Sequence, residues 1–523
     1  MKHINTFLSP LFLFVIIFLT TSIAQRRIEI SSDGRDTIEY DNTSTNINAS
    51  YKSDNVPYSL SPSWNINLRM QVGGLAVGDI NNDGKLDVAV ACYKSNSFPP
   101  YNDWRNFVVY NNGSGLDTTP GWWTLDSVSS TDIRIADFNN DGHPDLFSAN
   151  GDASFPPDEI YFGMEGDSLS RTAGWHAANS TWTTGVAVAD FDNDGDIDVA
   201  TSNQGVSPNA YRPVSLFINN NGTLEQSPSW TSSASEISSA IAWGDMNNDG
   251  FKDLAVSKWV NFNSCVYKNN NGTLETTPTW TANTTQGQKG IAWADLNGDS
   301  LQDLAIGGSI PTQAYLNNGN GFGTSPVWQS QNSYHGTQDI AWADVNEDGY
   351  PDLATAEFSA GLFRIYLNRN GHLDSVPSWQ YDSPNVGTAL GFGDINGDGH
   401  VDFVIGVSGT PCVSVFYNTI ATSVKENNTM TNDFHLSQNY PNPFNPTTNL
   451  RFTISDFGFV TLKIYNILGE EVATLLNNEA MENGEHEIAF DASNLTSGIY
   501  FYRLQVNNGK ENFVSTRKLV VMK

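Results

Sequence analysis

The chain has 523 residues and a formal net charge of −31 at pH 7. Its length allows two or three domains, and a hydrophobic share of 39% with abundant Gly, Trp and Tyr suits a β-rich globular protein. The strong acidity argues against nucleic acid or an anionic membrane surface as a partner.

Residues 1–24 are predicted to be a secretory signal peptide. Lys2 lies in a short basic start, an apolar run extends from about Phe7 to Leu19, and Ala24 ends the segment before Gln25. A membrane-spanning helix needs about 20 apolar residues, so no transmembrane segment is expected after the signal is removed. Residues 25–56 are polar with little periodicity and are interpreted as a leader or linker.

A nine-residue acidic loop, first seen at Asp79–Asp87 as DINNDGKLD, occurs seven times. Successive copies start about 50 residues apart, which is long enough for one four-stranded sheet per copy. The copies begin at Asp79, Asp137, Asp190, Asp245, Asp295, Asp344 and Asp394.

The loop has the spacing of a cation site. Oxygen ligands at positions one, three, five and nine converge on one point, and the Gly at position six allows a sharp turn. An all-oxygen set of this kind favours Ca²⁺ over Mg²⁺, so up to seven calcium ions are expected, one per loop. The predicted ligands are Asp79, Asn81, Asp83 and Asp87; Asp137, Asn139, Asp141 and Asp145; Asp190, Asp192, Asp194 and Asp198; Asp245, Asn247, Asp249 and Asp253; Asp295, Asn297, Asp299 and Asp303; Asp344, Asn346, Asp348 and Asp352; and Asp394, Asn396, Asp398 and Asp402.

The loop has two alternative interpretations. Asp, Asn and Gly are ordinary turn residues, so a single copy could be only a hairpin turn, but seven copies that keep Asp at positions one, five and nine favour calcium. An EF-hand is excluded because position twelve of the first copy is Val90 and the flanking segments alternate like strands. The fifth copy carries Ser300 in place of Gly and is expected to bind most weakly.

The repeat region, residues 57–418, is predicted to be an all-β, seven-bladed β-propeller of four-stranded blades. The fourth strand of each unit is expected to end in a Trp, but the last unit stops after its third strand. A segment with Trp64 ahead of the first loop supplies the missing strand and would close the ring without open edges. The strand-ending residues are Trp123, Trp175, Trp230, Trp280, Trp328 and Trp379.

The apolar strand, DxNxDG loop and Ala-rich strand of each unit resemble FG-GAP (VCBS) repeats, the units of the integrin α-subunit propeller and of many bacterial surface proteins. The resemblance implies calcium binding at the matching Asp and Asn positions. This chain departs from the integrin pattern because it carries an acidic loop in every unit, so the integrin partners do not transfer.

The connections between second and third strands would lie on the face opposite the acidic loops. Aromatic residues beside Arg in these connections are typical of a sugar or peptide site, although each could simply pack its own loop. The candidate ligand-binding residues are Phe98, Tyr101, Trp104, Arg105, Phe155, Tyr211, Arg212 and Trp259.

Residues 419–433 form a polar linker, and residues 434–523 are predicted to be a small Ig-like β-sandwich. The segment from Tyr440 to Pro446 (YPNPFNP), Gly469 and the SGIY segment at Ser497–Tyr500 resemble the type A C-terminal sorting domain of the type IX secretion system of Gram-negative bacteria. The resemblance implies export through that machinery and a protein that is secreted or attached to the outer cell surface. A plain Ig-like adhesion module is the alternative.

No catalytic residues are visible in the sequence, so the protein is predicted not to be an enzyme. The favoured hypothesis is a calcium-stabilised, adhesin-like or lectin-like protein that binds a glycan or a surface protein. A calcium-dependent polysaccharide lyase, for which Arg105 and Arg212 are the basic candidates, and a structural surface protein without a defined ligand remain open. The chain has three cysteines, Cys92, Cys265 and Cys412, a small and odd number that does not suit a disulfide framework. Pairing of Cys92 with Cys412 remains open.

Overall fold

The computed structural model describes short strands at 29–30, 36–37 and 51–52, and then residues 56–420 and 435–521. Gaps lie at 95–102, 152–155, 166–167, 180, 206–210, 260–261, 284–286, 310, 320, 332–335, 359–360, 455–456, 467–470, 482 and 508–511. The predicted signal peptide, most of the predicted leader and most of the linker lie outside the described residues. Phe98, Tyr101 and Phe155 lie outside them as well.

The described residues are all-β, with no helix among them, and the chain divides into two compact units, Met1–Ile420 and Ala421–Lys523. No described segment forms a helix of the length and apolarity that crossing a bilayer requires. The first strands are β1 (Glu29–Ile30), β2 (Asp36–Thr37), β3 (Tyr51–Lys52) and β4 (Trp64–Ile66).

Small antiparallel sheets then follow one another along the first unit. Within the described residues each repeat contributes four strands in a common order from the inside outward, and the pairing of Gln71 with Ser408 joins the sheets of the first and last repeats. The first four sheets are β5 (Met70–Gly78), β6 (Asp87–Cys92), β7 (Phe107–Val109) and β8 (Trp122–Trp123); β9 (Ser130–Ala136), β10 (Asp145–Asn150), β11 (Glu159–Tyr161) and, after the hairpin of β12 (Gly163–Met164) and β13 (Ser168–Leu169), β14 (Trp175–His176); β15 (Trp182–Ala189), β16 (Asp198–Gln204), β17 (Ser215–Phe217) and β18 (Trp230–Thr231); and β19 (Ser238–Gly244), β20 (Asp253–Lys258), β21 (Cys265–Tyr267) and β22 (Trp280–Thr281).

The last three sheets repeat this order, and β3 adds a fifth strand to the outer edge of the sixth. In the seventh sheet the outermost strand is β4, which pairs with β33 through Trp64 opposite Val415. The strands are β23 (Gln288–Ala294), β24 (Asp303–Gly308), β25 (Gln313–Tyr315) and β26 (Trp328–Gln329); β27 (Thr337–Ala343), β28 (Asp352–Glu357), β29 (Leu362–Tyr366) and β30 (Trp379–Asp382); and β31 (Val386–Gly393), β32 (Asp402–Gly409) and β33 (Val413–Phe416).

The innermost strands pack against one another in sequence, and the last of them, β31, contacts the first, β5. Each second strand is a short run of small and apolar residues, such as DVAVAC in β6, which is buried along its whole length between two neighbours. Buried residues of the described chain gather into one cluster between each pair of neighbouring sheets, including the pair formed by the seventh and the first. The first unit is therefore a propeller-like succession of small sheets in which the last innermost strand contacts the first.

The outer-strand tryptophans differ from the sequence prediction in two respects. Each outer strand begins at its Trp rather than ending there, and in the first sheet the repeat position is held by Trp122, opposite Val108, and not by Trp123. Trp122 donates its indole N–H to the carbonyl of Leu169 in the second sheet at 3.0 Å. Trp230 makes the equivalent bond to Leu274 in the fourth sheet at 3.1 Å. Each of these outer strands is thus hydrogen-bonded to the hairpin between the third and fourth strands of the next sheet.

The C-terminal unit contains two antiparallel sheets around one core. The first sheet is formed by β34 (His435–Leu436), β35 (Thr447–Ile454) and β38 (Gly484–Asp491), and the second by β36 (Gly458–Asn466), β37 (Glu471–Met481), β39 (Gly498–Asn507) and β40 (Asn512–Val521). Leu450 and Phe452 from one sheet and Leu462 and Tyr502 from the other are fully buried in the same cluster. The period-two alternation of β39 explains this, because its even-numbered positions point inward.

The three cysteines are buried and none forms a disulfide. Cys92 and Cys412 lie in the same cluster, between the first and seventh sheets, where they pack as small apolar side chains.

Candidate metal loops and the channel mouth

Each acidic loop connects an innermost strand to the second strand of its sheet. In the first copy, Asp79 accepts the backbone N–H groups of Asp83 at 3.0 Å and of Gly84 at 2.8 Å, and Asp83 accepts that of Lys85 at 3.0 Å. The same bonds recur in the other six loops. The carboxylates at positions one and five therefore curl the backbone into one repeated shape.

Two residues in each loop adopt left-handed backbone angles. Position six was expected from the sequence, and Gly84 has φ +83°. Ser300 takes the same conformation with φ +71°, a strained one for a residue with a Cβ, so the fifth loop keeps the common shape despite its Ser. Position four is also left-handed, as at Asn82 (φ 56°) and Glu347 (φ 58°), a feature that the loop motif does not predict. Asn tolerates this region better than most residues, which explains its frequency there.

The aspartate at position nine braces the loop against the rest of its sheet. Asp198 is fully buried, and its carboxylate accepts the N–H of Phe191 in its own loop at 3.2 Å and of Asn219 after the third strand at 2.8 Å. Burial raises the pKa of this carboxyl to about 7, and the pKa values of its counterparts to about 6 or 7. This bracing is separate from the ligand role expected for position nine, which stays a prediction.

In six of the seven sheets, a buried asparagine after the third strand links the acidic loop to the preceding one. Asn219 donates its amide to the carbonyl of Ile197 in its own loop at 3.1 Å and to that of Phe138 in the preceding loop at 2.8 Å. Asn111 makes the corresponding bond to Ile395, which joins the first sheet to the seventh. The others are Asn269, Asn317, Asn368 and Asn418, and the second sheet has Gly163 at this position.

The donor set of the loops fits a hard cation. In the third loop, Asp190, Asp192 and Asp194 each place one carboxylate oxygen within 4.8 Å of the other two. The other six loops have Asn at position three, whose amide supplies the third oxygen. Carboxylate and amide oxygens on alternate residues are the ligands that Ca²⁺ prefers, so the residues present would hold calcium and draw the loop together around it.

A central channel with a volume of about 630 Å³ is lined by all seven innermost strands, and its lining extends from the strand ends away from the acidic loops to Gln302 in the fifth loop. Each innermost strand has a β-bulge at the same place, and the extra residue of each bulge lines the channel. We call these residues the bulge ring: Gly73, Thr131, Thr184, Ser239, Lys289, Gln338 and Thr388.

Lys289 is the cation of the bulge ring. Its ammonium lies 4.7 Å from the ring centroid of Trp259 and 5.7 Å from that of Phe358, and it donates a 2.6 Å hydrogen bond to the side-chain oxygen of Gln338. Burial lowers the pKa of Lys289 to about 8. Among the described residues, no carboxylate lies within ion-pair distance of it. Phe358 is 42% exposed. We call the place where Trp259 and Phe358 contact Lys289, itself a lining residue of the channel, the channel mouth.

The predicted binding residues within the described part of the chain divide into three places. Trp259 lies at the channel mouth. Tyr211 contacts Phe262 edge-on at 5.4 Å between the third and fourth sheets. Two further residues belong to the first sheet's own loop, where Trp104 donates its indole N–H to the carbonyl of Ser127 and Arg105 pairs with Asp103 at 2.6 Å.

Neither of the two arginines suggested for a lyase lines the channel. Arg105 lies 4.9 Å from the ring of Trp123 in an outermost strand. Arg212 is exposed, and its backbone pairs with Glu236. Lys289 and Phe358, which the sequence analysis missed, occupy the mouth instead.

The geometry is that of a repeat protein built from consecutive antiparallel sheets with an acidic loop in each. A family model for the FG-GAP-like repeat matches residues 79–148, 137–201, 205–256, 295–355 and 348–405, together more than half of the chain. The chain therefore belongs to the family of FG-GAP-like repeat proteins. A model for the secretion system C-terminal sorting domain matches residues 438–522, so the protein is exported by the type IX system to the cell surface or the extracellular space.

Among solved structures, the crystal structure of the V. cholerae biofilm matrix protein Bap1 is similar to this chain. The match covers 89% of this chain and 70% of that one, with 14% sequence identity and a TM-score of 0.32. No curated protein matches the chain.

Proposed function

We propose that this exported protein is a calcium-stabilised propeller that binds a glycan or a surface protein through the mouth of its central channel. The observation that carries the proposal is the grouping of Trp259, Phe358 and Lys289 around that mouth. Aromatic faces stack against the apolar faces of sugars, and a few convergent polar groups fix the orientation of a ligand. The sorting domain places this surface outside the cell, where such ligands occur.

The finer description of the fold belongs to the same proposal. We infer a seven-bladed β-propeller followed by an Ig-like β-sandwich. The inter-sheet clusters, the contact of β31 with β5 and the bond from Asn111 to Ile395 support the closed ring. The two sheets around one core in the C-terminal unit support the sandwich.

Calcium is proposed to stabilise this ring. If free calcium is ten times the dissociation constant of each loop, mass action adds roughly 1.4 kcal/mol per site, and seven sites add roughly 10 kcal/mol. That rivals the stability of a typical domain, about 5–15 kcal/mol. The melting temperature should therefore fall steeply in chelator and recover when calcium is restored. A melting temperature that chelator leaves unchanged would exclude this role.

The binding test uses the exported protein on a panel of polysaccharides and glycoproteins, with calcium present. Binding that Trp259→Ala and Phe358→Ala abolish, while Trp104→Ala in the first sheet's loop retains it, would support the channel mouth as the site. Binding that depends only on Trp104 would move the site to the first sheet. No binding to any member of the panel would favour a structural role without a defined ligand.

A calcium-dependent polysaccharide lyase is the second candidate, and Lys289 is the observation that favours it. A lysine whose pKa is lowered to about 8 is partly deprotonated near neutral pH and can accept a proton. The same panel distinguishes the two functions, because a lyase releases unsaturated sugar products that absorb in the ultraviolet and a binding protein does not.

A further inference from the structure

The bulge ring makes one sheet of the repeat different from the other six. Six of its members are Gly, Thr, Ser or Gln, and the hydroxyls of Thr131, Thr184 and Thr388 are used within the fold because each donates to a backbone carbonyl. Lys289, in the fifth sheet, is the one member with a charge. Its side chain therefore brings to the channel mouth a cation that the repeat itself does not require.

The walls around Lys289 come from the two neighbouring sheets. Trp259 and Phe358 occupy equivalent positions, one residue after the second strand of the fourth and sixth sheets. Each donates its backbone N–H to the carbonyl of the residue just before its own innermost strand. The equivalent residue of the fifth sheet is Ser309, which is small and exposed. The rings of Trp259 and Phe358 thus lie on either side of the ammonium of Lys289, and the small Ser309 of the fifth sheet lies between them in the repeat.

The charges nearby leave the ammonium available to a ligand. Asp132 pairs with Arg134 at 2.5 Å and accepts the N–H of Val186, while Asp339 accepts the N–H groups of Ile340 and Leu390. These carboxylates line the same channel but are engaged by other groups. The amide of Gln338 also donates to the carbonyl of Gly336 at 3.2 Å, which turns its oxygen towards Lys289. The ammonium therefore has one neutral acceptor, two rings and remaining N–H donors.

We propose that the mouth over the fifth sheet is a subsite for an acidic saccharide, in which Lys289 binds the anionic group and Trp259 and Phe358 hold the sugar ring. A carboxylate or sulfate that reaches Lys289 supplies the counter-charge that the protein does not provide there. The lowered pKa of Lys289 is consistent with such a gap, since burial without a counter-ion disfavours the charged amine. This inference rests on the proposed glycan-binding function and names the class of glycan.

The test measures dissociation constants of the full chain by calorimetry in saturating calcium. The ligands are a tetrameric oligouronate, the same tetramer with its carboxylates reduced to alcohols, a sulfated oligosaccharide of similar length, and an oligoglutamate peptide. We expect the uronate or the sulfated ligand to bind at least about tenfold more tightly than the neutral tetramer, as a charge-assisted hydrogen bond would give. Comparison of those two ligands identifies the preferred anionic group.

Three variants assign the preference to the residue. Lys289→Met should abolish the difference between the acidic and neutral tetramers, and Lys289→Arg should keep most of it. Lys268→Met, a lysine after the third strand of the fourth sheet, is the matched control and should leave it unchanged. Melting temperatures equal to the wild type show that the variants are folded.

Several results would overturn the inference. The first is equal affinity for the acidic and neutral tetramers, and the second is a preference for the acidic tetramer that survives Lys289→Met. The third is tighter binding of the oligoglutamate peptide than of any saccharide. Neutral glycans that bind in a Trp259-dependent manner without an anion preference would leave the proposed function standing while this inference fails. If no glycan binds at all, this inference fails and the proposed function is left with a surface protein as its ligand.

Discussion

The strongest structural prediction concerns the buried asparagine that links neighbouring loops. Replacing Asn219 with Ala removes two hydrogen bonds, to Phe138 at 2.8 Å and to Ile197 at 3.1 Å, from a side chain that is fully buried. Two lost neutral bonds contribute about 0.5–1.5 kcal/mol each, and buried carbonyls left without donors add to the loss. We therefore expect Asn219→Ala to lower the free energy of unfolding by about 2–4 kcal/mol.

The measurement is urea denaturation followed by tryptophan fluorescence in saturating calcium, with the wild-type m-value as a check that the unfolding transition is unchanged. Asn220→Ala is the matched control, because the next residue along the chain is an exposed Asn. If the two variants lose similar amounts, each below about 1 kcal/mol, the asparagine does not hold neighbouring loops together and the reasoning is refuted.

Two further predictions concern the contacts between sheets and the central channel. Trp230→Phe should lower the free energy of unfolding by about 1 kcal/mol, since it removes the indole hydrogen bond to Leu274. Trp328→Phe should lower it less, because that indole N–H has no acceptor among the described residues. Equal losses of the two variants in chemical denaturation would contradict this prediction. Burial raises the pKa of Asp339 from 3.8 to about 6. As the pH rises, this carboxyl therefore loses its proton in the unfolded chain before it does so in the folded protein. The stability of the wild type then falls between about pH 4 and pH 6. Asp339→Asn should therefore gain stability relative to the wild type over that pH range, by at most about 3 kcal/mol, and a stability difference that does not change with pH would refute the assignment.

Most of the repeat could be predicted because each unit obeys local rules. The loop motif at Asp79–Asp87 carries its own turn chemistry, and the runs around it alternate or stay apolar as strands do, so all-β structure and repeated small sheets follow from the sequence. The segment with Trp64 could be assigned to the last unit by counting strands, and it does pair with β33. The prediction of Trp123 as the outer-strand tryptophan of the first sheet was wrong. Two adjacent residues, Trp122 and Trp123, fit the sequence pattern equally well, and only the strand register decides between them.

The residues that the sequence analysis missed depend on contacts between units. Asn219 and its counterparts look like ordinary hairpin residues, and their distance from the loop varies because the intervening connections differ in length. Lys289 had a detectable signal, because every bulge residue lies six positions before the first Asp of its loop, and Lys289 is the one charged residue in that column. The bulge that turns this side chain into the channel is a property of strand pairing, and periodicity does not reveal it.

The two candidate sites lie at opposite ends of the same strands, and this separates the roles of metal and ligand. Lys289 is six residues before Asp295 along the innermost strand, about 20 Å away at strand spacing. The proposed calcium ions are therefore too far from the mouth to bridge to a bound sugar. If calcium acts only through stability, the dissociation constant of the ligand in chelator should stay within about twofold of its value in calcium, at temperatures below the melting point of the chelated protein. Ligand binding that disappears in chelator while circular dichroism shows an intact fold would instead place the ligand at the acidic loops.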